Sequence, residues 1–331
     1  MNKLLIFGAC LVSLAANAQD DLIKKIDANK SDSAKKKFVF TPVINVECTD
    51  VKNQASSGTC WSYSTNSFLE SEMIRMGKKP VDIAEIYTAR RVYEDKADTY
   101  VRMHGDASWG DGGACHDVIN MYRKYGAVPQ SIYTGLQYGT TKNKFAEMQA
   151  VLKAMLDAVV KNPNGKLTPS WKKAFNAVLD AYLGKVPKTF EYKGATYTPR
   201  SFADKVIGIN PDDYIELSSF SDQPYYTQVM LMVPDNWSYD KVYNVKMNDM
   251  IDIIDYALSK GYSVAWATDV SEKSFSWKNG VAYVPEKEWD DMSEEERKEM
   301  FDGPKPERKI TSAMRQEAFD QYKTTDDHGM Q

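Results

Sequence analysis

Apolar and polar positions recur at helical spacing through the first part of this chain and at strand spacing towards its end. Over residues 60–76, Trp61, Phe68, Leu69 and Met73 share a face and Gly77 follows as a cap, which predicts a helix. A second helix is expected to begin at Asp82, with Glu85 completing a capping box, and to run to about Met103. A third is expected over 114–125, with Val118, Ile119, Tyr122 and Tyr125 inward and Gly126 as cap. Phe145, Met148, Val151, Leu152, Met155, Leu156 and Val159 mark another helix, broken by Asn162-Pro163-Asn164-Gly165. Trp171, Phe175, Val178, Leu179 and Tyr182 mark one more, ended by Gly184, and 190–198 reads as a hairpin turning at Lys193-Gly194.

Beyond Tyr214 the pattern is mixed. A strand is expected at 228–233, a helix at 248–260 with Ile251, Ile254 and Leu258 on one side, and a buried strand at 262–268 after the stop at Gly261. Ser293 and Glu296 have the form of another capping box, and a last helix is expected over 312–322. Helices early and strands late give an α+β domain with two lobes.

Composition adds bounds. The chain has 331 residues, 43% hydrophobic and 27% charged, ordinary globular values and enough for one large domain or two small ones. A net charge of −4 argues against a nucleic-acid partner, which would need a basic face. Lys3, the apolar stretch 4–15 and Ala16-Asn17-Ala18 have the form of a secretory signal peptide cleaved before Gln19. The expected organisation is therefore a signal peptide at 1–18, a polar flexible leader at 19–37 and one domain at 38–331. The expected location is periplasmic or extracellular. A lipoprotein site at Cys10 is the minor alternative, and no other stretch is long and apolar enough to span a membrane.

Once Cys10 leaves with the signal, Cys48, Cys60 and Cys115 remain, with spacing unlike a zinc site. Cys60 stands at the first turn of a predicted helix, where the dipole and free N–H groups favour a thiolate. By itself this feature is as compatible with a structural thiol as with a nucleophile.

The surrounding residues, Gln54-Ala55-Ser56-Ser57-Gly58-Thr59-Cys60-Trp61, resemble the nucleophile motif of papain-like cysteine peptidases. Trp109-Gly110-Asp111-Gly112-Gly113, followed by a helix and Tyr125-Gly126-Ala127-Val128-Pro129, is similar to the bleomycin-hydrolase (aminopeptidase C) branch of that family. The resemblance implies a fold of one helical lobe and one β-barrel-like lobe. It also implies Cys60 as nucleophile, and Gln54 with the Cys60 N–H as oxyanion hole. Asp111, Gly112, Gly113 and Trp61 would line the substrate cleft, where glycine lets a peptide backbone come close. Papain relatives usually carry a disulfide at the positions of Ser57 and Gly110; both cysteines are missing together, which favours the bleomycin-hydrolase side.

His104, His116 and His328 are the candidate bases. Asp327-His328-Gly329-Met330 resembles the segment holding the family's catalytic histidine, and 261–270 resembles the strand before it, so the resemblance selects His328. It implies peptide substrates, no metal or other cofactor, aminopeptidase rather than endopeptidase action, and a homo-oligomer, hexameric in relatives. The segment 139–247 aligns poorly. The chain ends at Gln331, before the asparagine and the strands that follow the histidine in papain relatives, so a fragment cut within the β lobe is expected, weakly active or unstable as it stands. Two other readings are a non-catalytic peptide-binding relative and a Cys–His acyltransferase. Gln54, Cys60 and His328 together argue against the first, and the Gly-Gly block and the glutamine spacing against the second.

Overall fold

The computed structural model describes residues 38–163, 165–321 and 328–331. The expected signal peptide and leader lie outside the described residues, as does Asp327.

Five helices build the main core: α1 (Cys60–Arg75), α2 (Glu85–Arg102), α3 (Cys115–Tyr125), α4 (Ala146–Val160) and α5 (Ser170–Leu183). The first of these is surrounded by protein. It buries Trp61, Leu69 and Met73, but also Ser62, Asn66, Glu70 and Glu72. Those polar groups find partners: Ser62 donates to the Glu85 carbonyl at 2.8 Å, and Asn66 donates to the Ser62 carbonyl at 2.8 Å. Such pairing is what permits polar burial.

The capping box expected at Asp82 and Glu85 does not form. Helix α2 starts at Glu85, and its N-cap, Ala84, offers no side-chain bond. Both carboxylates turn instead to Lys52, whose Nζ lies 2.7 Å from Asp82, 2.5 Å from Glu85 and 2.9 Å from Glu70. A full charge nearby outcompetes a capping hydrogen bond. This ionic knot ties the extended segment before Cys60 to α1 and α2.

The hairpin is found as read: β1 (Phe190–Tyr192) pairs antiparallel with β2 (Ala195–Tyr197). Lys193 and Gly194 form its turn with φ of 50° and 80°, the left-handed pair that suits a two-residue hairpin. A short helix α6 (Pro199–Phe202) follows, and Phe202 is fully buried.

The later strands are short. β3 (Leu217–Ser218), β4 (Thr227–Met230) and β5 (Lys241–Asn244) form one sheet in the order β3-β5-β4 around Phe220, Val229 and Val242. Helix α7 (Met247–Ser259) leads to β6 (Trp266–Thr268). The strand expected to be long and buried is thus three residues, with Trp266 48% exposed. Among the described residues its one ladder partner is β9 (His328–Met330), and little covers its faces. β7 (Phe275–Ser276) pairs with β8 (Val281–Ala282), and α8 (Glu294–Lys298) and α9 (Ser312–Gln321) follow before β9. The Ser293–Glu296 capping box is present. The result is a mixed helix and strand fold. Its strands form four separate small sheets among the described residues, and no barrel closes there.

Candidate active site

The loop before α1 is held by its main chain. Ala55 has φ of 52°, a left-handed conformation that a non-glycine residue adopts at a cost of about 1–3 kcal/mol. Asn53 Oδ1 accepts the Ala55 N–H at 2.8 Å. The Gln54 carbonyl accepts from Ser57 Oγ at 2.8 Å and from Asn143 Nδ2 at 3.3 Å. Gln54 Oε1 is buried and has no hydrogen-bond partner among the described residues.

Cys60 opens α1 and is half-buried. Burial pushes its thiol above the ordinary range, while the N–H groups of Gly329 and Trp61 pull it down and the Asp235 charge pushes it up again. The helix N-terminus alone was expected to favour the thiolate; burial outweighs it.

Residues far along the chain complete this corner. In the ladder of β6 and β9, Thr268 pairs with His328, Ala267 with Gly329 and Trp266 with Met330. Gly329 lies on the first turn of α1, against the backbone of Trp61 and the Ser64 hydroxyl. Gln331 is anchored on the same helix, accepting from Ser67 Oγ at 2.5 Å and donating to Ser71 Oγ at 2.7 Å. The ring of Trp277 meets that of His328 edge-on, with centroids 5.9 Å apart and planes at 76°.

The Gly-Gly segment is stitched to the same helix. Asp111 Oδ2 accepts the Gly58 N–H at 2.6 Å, and Trp61 Nε1 donates to the Asp111 carbonyl at 2.8 Å. Beneath the segment, the buried Lys96 ammonium donates to the carbonyls of Gly110 (3.2 Å) and Gly112 (2.7 Å). Burial lowers the Lys96 pKa, partly offset by Asp117, Asp235 and Asp111. Gly113 is wedged between the Trp61 ring and Asp117, so that a β-carbon there would lie 2.8 Å from each. Asp117 accepts the Ala114 N–H (2.9 Å) and Trp237 Nε1 (3.0 Å). Asp235 lies against Gly112.

The structure therefore brings Cys60, Trp61, Asp111, Gly112, Gly113 and the strand of His328 together, with Gln54 in the loop just upstream. His104 is exposed at the end of α2. His116 faces Glu216, with Nδ1 2.5 Å from Oε2, and belongs to a structural ion pair. Cys48, Cys60 and Cys115 are free thiols. Sequence reading missed Lys96, Asp117, Asp235 and Trp277. Only Asp117, a carboxylate in the first turn of a helix, carried a readable signal.

Among the described residues, one group of side chains has metal-like spacing: Glu70, Asp82 and Glu85. The Lys52 ammonium already lies among them. A hollow of about 520 Å³ beside Tyr133 and the end of α5 lies apart from Cys60 and is lined by no cysteine or histidine. No described helix is long and apolar enough to cross a membrane.

Residues 83–296 match the Peptidase C1-like family. The chain belongs to that family. The matched span of this Peptidase C1-like chain starts after Cys60 and stops before His328. It is similar to aminopeptidase C of Streptococcus thermophilus, 23% identical over 304 residues, covering 78% of this chain and 67% of the relative. It is also similar to the mitochondrial cysteine proteinase 1 of Saccharomyces cerevisiae (23% over 253 residues, 63% of this chain and 51% of the relative). Aminopeptidase G of Lactobacillus delbrueckii subsp. lactis is 27% identical over 222 residues, covering 56% of this chain and 51% of the relative. The chain thus spans about two thirds of the first relative and about half of the other two. Among solved structures, PepW of a Lactobacillus (HN001) shares the fold with a TM-score of 0.59 and 21% identity, over 82% of this chain and 73% of that one.

Proposed function

We propose that this chain is a cysteine peptidase that hydrolyses peptide bonds through a Cys60 thioester, acting as an aminopeptidase on peptides. The observation that carries the reading is the meeting of β9 with the start of α1: Gly329, next to His328, lies against the backbone of Trp61, next to Cys60. A thiol pushed up by burial needs a base beside it to become a nucleophile.

His328 takes the thiol proton. Cys60 Sγ bonds to the scissile carbonyl carbon, and the oxyanion receives hydrogen bonds from the Gln54 amide and the Cys60 N–H. The C–N bond breaks as His328 gives its proton to the leaving amine. Water then adds to the thioester, the S–C bond breaks, and acid product and thiol are released. Gly112 and Gly113 present main chain to the peptide, with Trp61 and Asp111 holding them in place. This sequence of steps requires no metal or organic cofactor. The names of the relatives favour aminopeptidase action. Export through the N-terminal segment and assembly into a homo-oligomer belong to the same proposal.

The deciding experiment is labelling with an epoxide inhibitor of cysteine peptidases, on the wild-type chain and on Cys60→Ala. Labelling of the wild type alone is expected. A folded, reduced wild type that stays unlabelled would reject the catalytic role of Cys60 and leave a peptide-binding protein.

A further inference from the structure

Three carboxylates stand around the Gly-Gly segment, and two are committed. Asp111 holds the Gly58 N–H, and Asp117 holds the N–H groups of Ala114 and Trp237. The third, Asp235, has no hydrogen-bond or ion-pair partner for its side chain among the described residues. It comes from the turn between β4 and β5, where the Trp237 N–H closes on the Asp235 carbonyl at 2.9 Å. That turn is held over α3 by the buried indole of Trp237. A β-carbon on Gly112 would fall 2.3 Å from Asp235 Oδ2 and 2.4 Å from Oδ1, so the carboxylate occupies the space directly over that glycine.

We propose that Asp235 is the substrate-recognition residue that binds the free α-ammonium group of a peptide lying along Gly112 and Gly113, and so makes the site specific for unblocked N-termini. The inference rests on the peptidase reading above and adds what selects the substrate. Its chemistry follows from position. A peptide whose main chain lies along the glycine pair meets the carboxylate with its own backbone, so the cation that reaches Asp235 is the chain's terminal amine. A peptide that continues past this point, or is acetylated there, places an uncharged amide against an unpaired, half-buried carboxylate. That costs a charge-assisted hydrogen bond and leaves the anion unsatisfied. The local field agrees: burial pushes the Asp235 carboxyl up and Asp111 adds to the push, with Lys96 opposing, so an incoming cation relieves an existing cost.

The test is binding to the full chain carrying Cys60→Ala, which removes any dependence on turnover. Calorimetry compares alanyl-leucine amide with its N-acetyl form, on Cys60→Ala and on Cys60→Ala with Asp235→Asn. The free amine is expected to bind at least about tenfold more tightly, and Asp235→Asn is expected to abolish the difference while leaving the melting temperature in place. No preference for the free amine, or a preference that survives Asp235→Asn, overturns the proposal. Epoxide labelling of Asp235→Asn with Cys60 intact separates the two readings: labelling retained with the amine preference lost supports both. Labelling absent in wild type and variant rejects only the peptidase reading.

Discussion

Gly329 lies so close to the first turn of α1 that a β-carbon on it would fall 2.9 Å from both the N and the Cα of Trp61. Backbone cannot yield as a side-chain tip can. Gly329→Ala is therefore expected to cost about 1–3 kcal/mol in stability. It should also push β9 away from the start of α1, where Cys60 sits. A lower melting point together with slower epoxide labelling is the expected result; unchanged labelling would show that this contact does not shape the thiol's surroundings.

Gln54 gives a prediction of opposite character. Its carbonyl carries the contacts to Ser57 and Asn143, and its side chain carries none among the described residues. Gln54→Ala should leave the melting curve nearly in place while lowering kcat by about 10²–10³, the usual loss for one oxyanion donor. A full-rate variant would remove Gln54 from the mechanism.

Trp277 meets the His328 ring edge-on and so restricts its orientation. Such pairs are worth about 0.5–1.5 kcal/mol. Trp277→Ala is expected to slow epoxide inactivation by about tenfold and to move the pH profile of that rate, with Trp277→Phe restoring most of it. A shift in melting point with an unmoved pH profile would mark Trp277 as packing alone.

The Lys52 knot predicts a pH-dependent defect. Burial alone would lower the Lys52 ammonium, but Glu85, Glu70 and Asp82 together hold it above its ordinary value. Burial pushes the Glu85 carboxyl up to about 7 in spite of Lys52. In Lys52→Met, Glu70 and Glu85 remain buried without their cation, a loss of about 3–5 kcal/mol near neutrality. Protonation at low pH neutralises the stranded carboxylates, so the defect should shrink there. Urea unfolding at about pH 8 and about pH 5 measures it, and an equal loss at both would contradict the account.

His116 gives a prediction for the pH dependence of the fold. Burial works against its charge, but the Glu216 bond and the charges of Glu216, Asp117 and Asp240 raise it to about 9, with Ser238 Oγ at its other nitrogen. A raised histidine stabilises fully below its ordinary pKa of about 6.5, and that contribution is lost as pH rises through 9. Its upper bound is about 3 kcal/mol. Asp117, pushed up to about 6 by burial, tilts stability the same way at lower pH. The wild type should melt several degrees lower at about pH 9.5 than at about pH 6, and His116→Gln should flatten the difference.

The helices were legible where one face is apolar and a glycine closes the end, as at Gly126 and Gly184. The Lys193-Gly194 turn was legible for the same local reason. The start of α2 was misread because Lys52, thirty residues away in sequence terms from Asp82, competes for the capping carboxylates, and such competition leaves no local mark. The apolar run at 262–268 spoke for burial, yet Trp266 lies largely open because its sheet has one ladder partner among the described residues. Cys60 and the Gly112-Gly113 pair were picked out by their resemblance to papain-like peptidases; local pattern alone left both open. Asp235 was not picked out: Pro234-Asp235-Asn236 reads as an ordinary turn, and only the fold places it over Gly112.

The contact between α1 and residues 328–331 also orders events in time. Ser67 and Gln331 are 264 residues apart. At about 5–20 residues per second, a ribosome needs roughly 10–50 s to travel between them. Throughout that interval the helix carrying the thiol exists without the strand that covers it. A nascent chain therefore carries Cys60 on a helix that lacks its β9 contacts until residues 328–331 have been made.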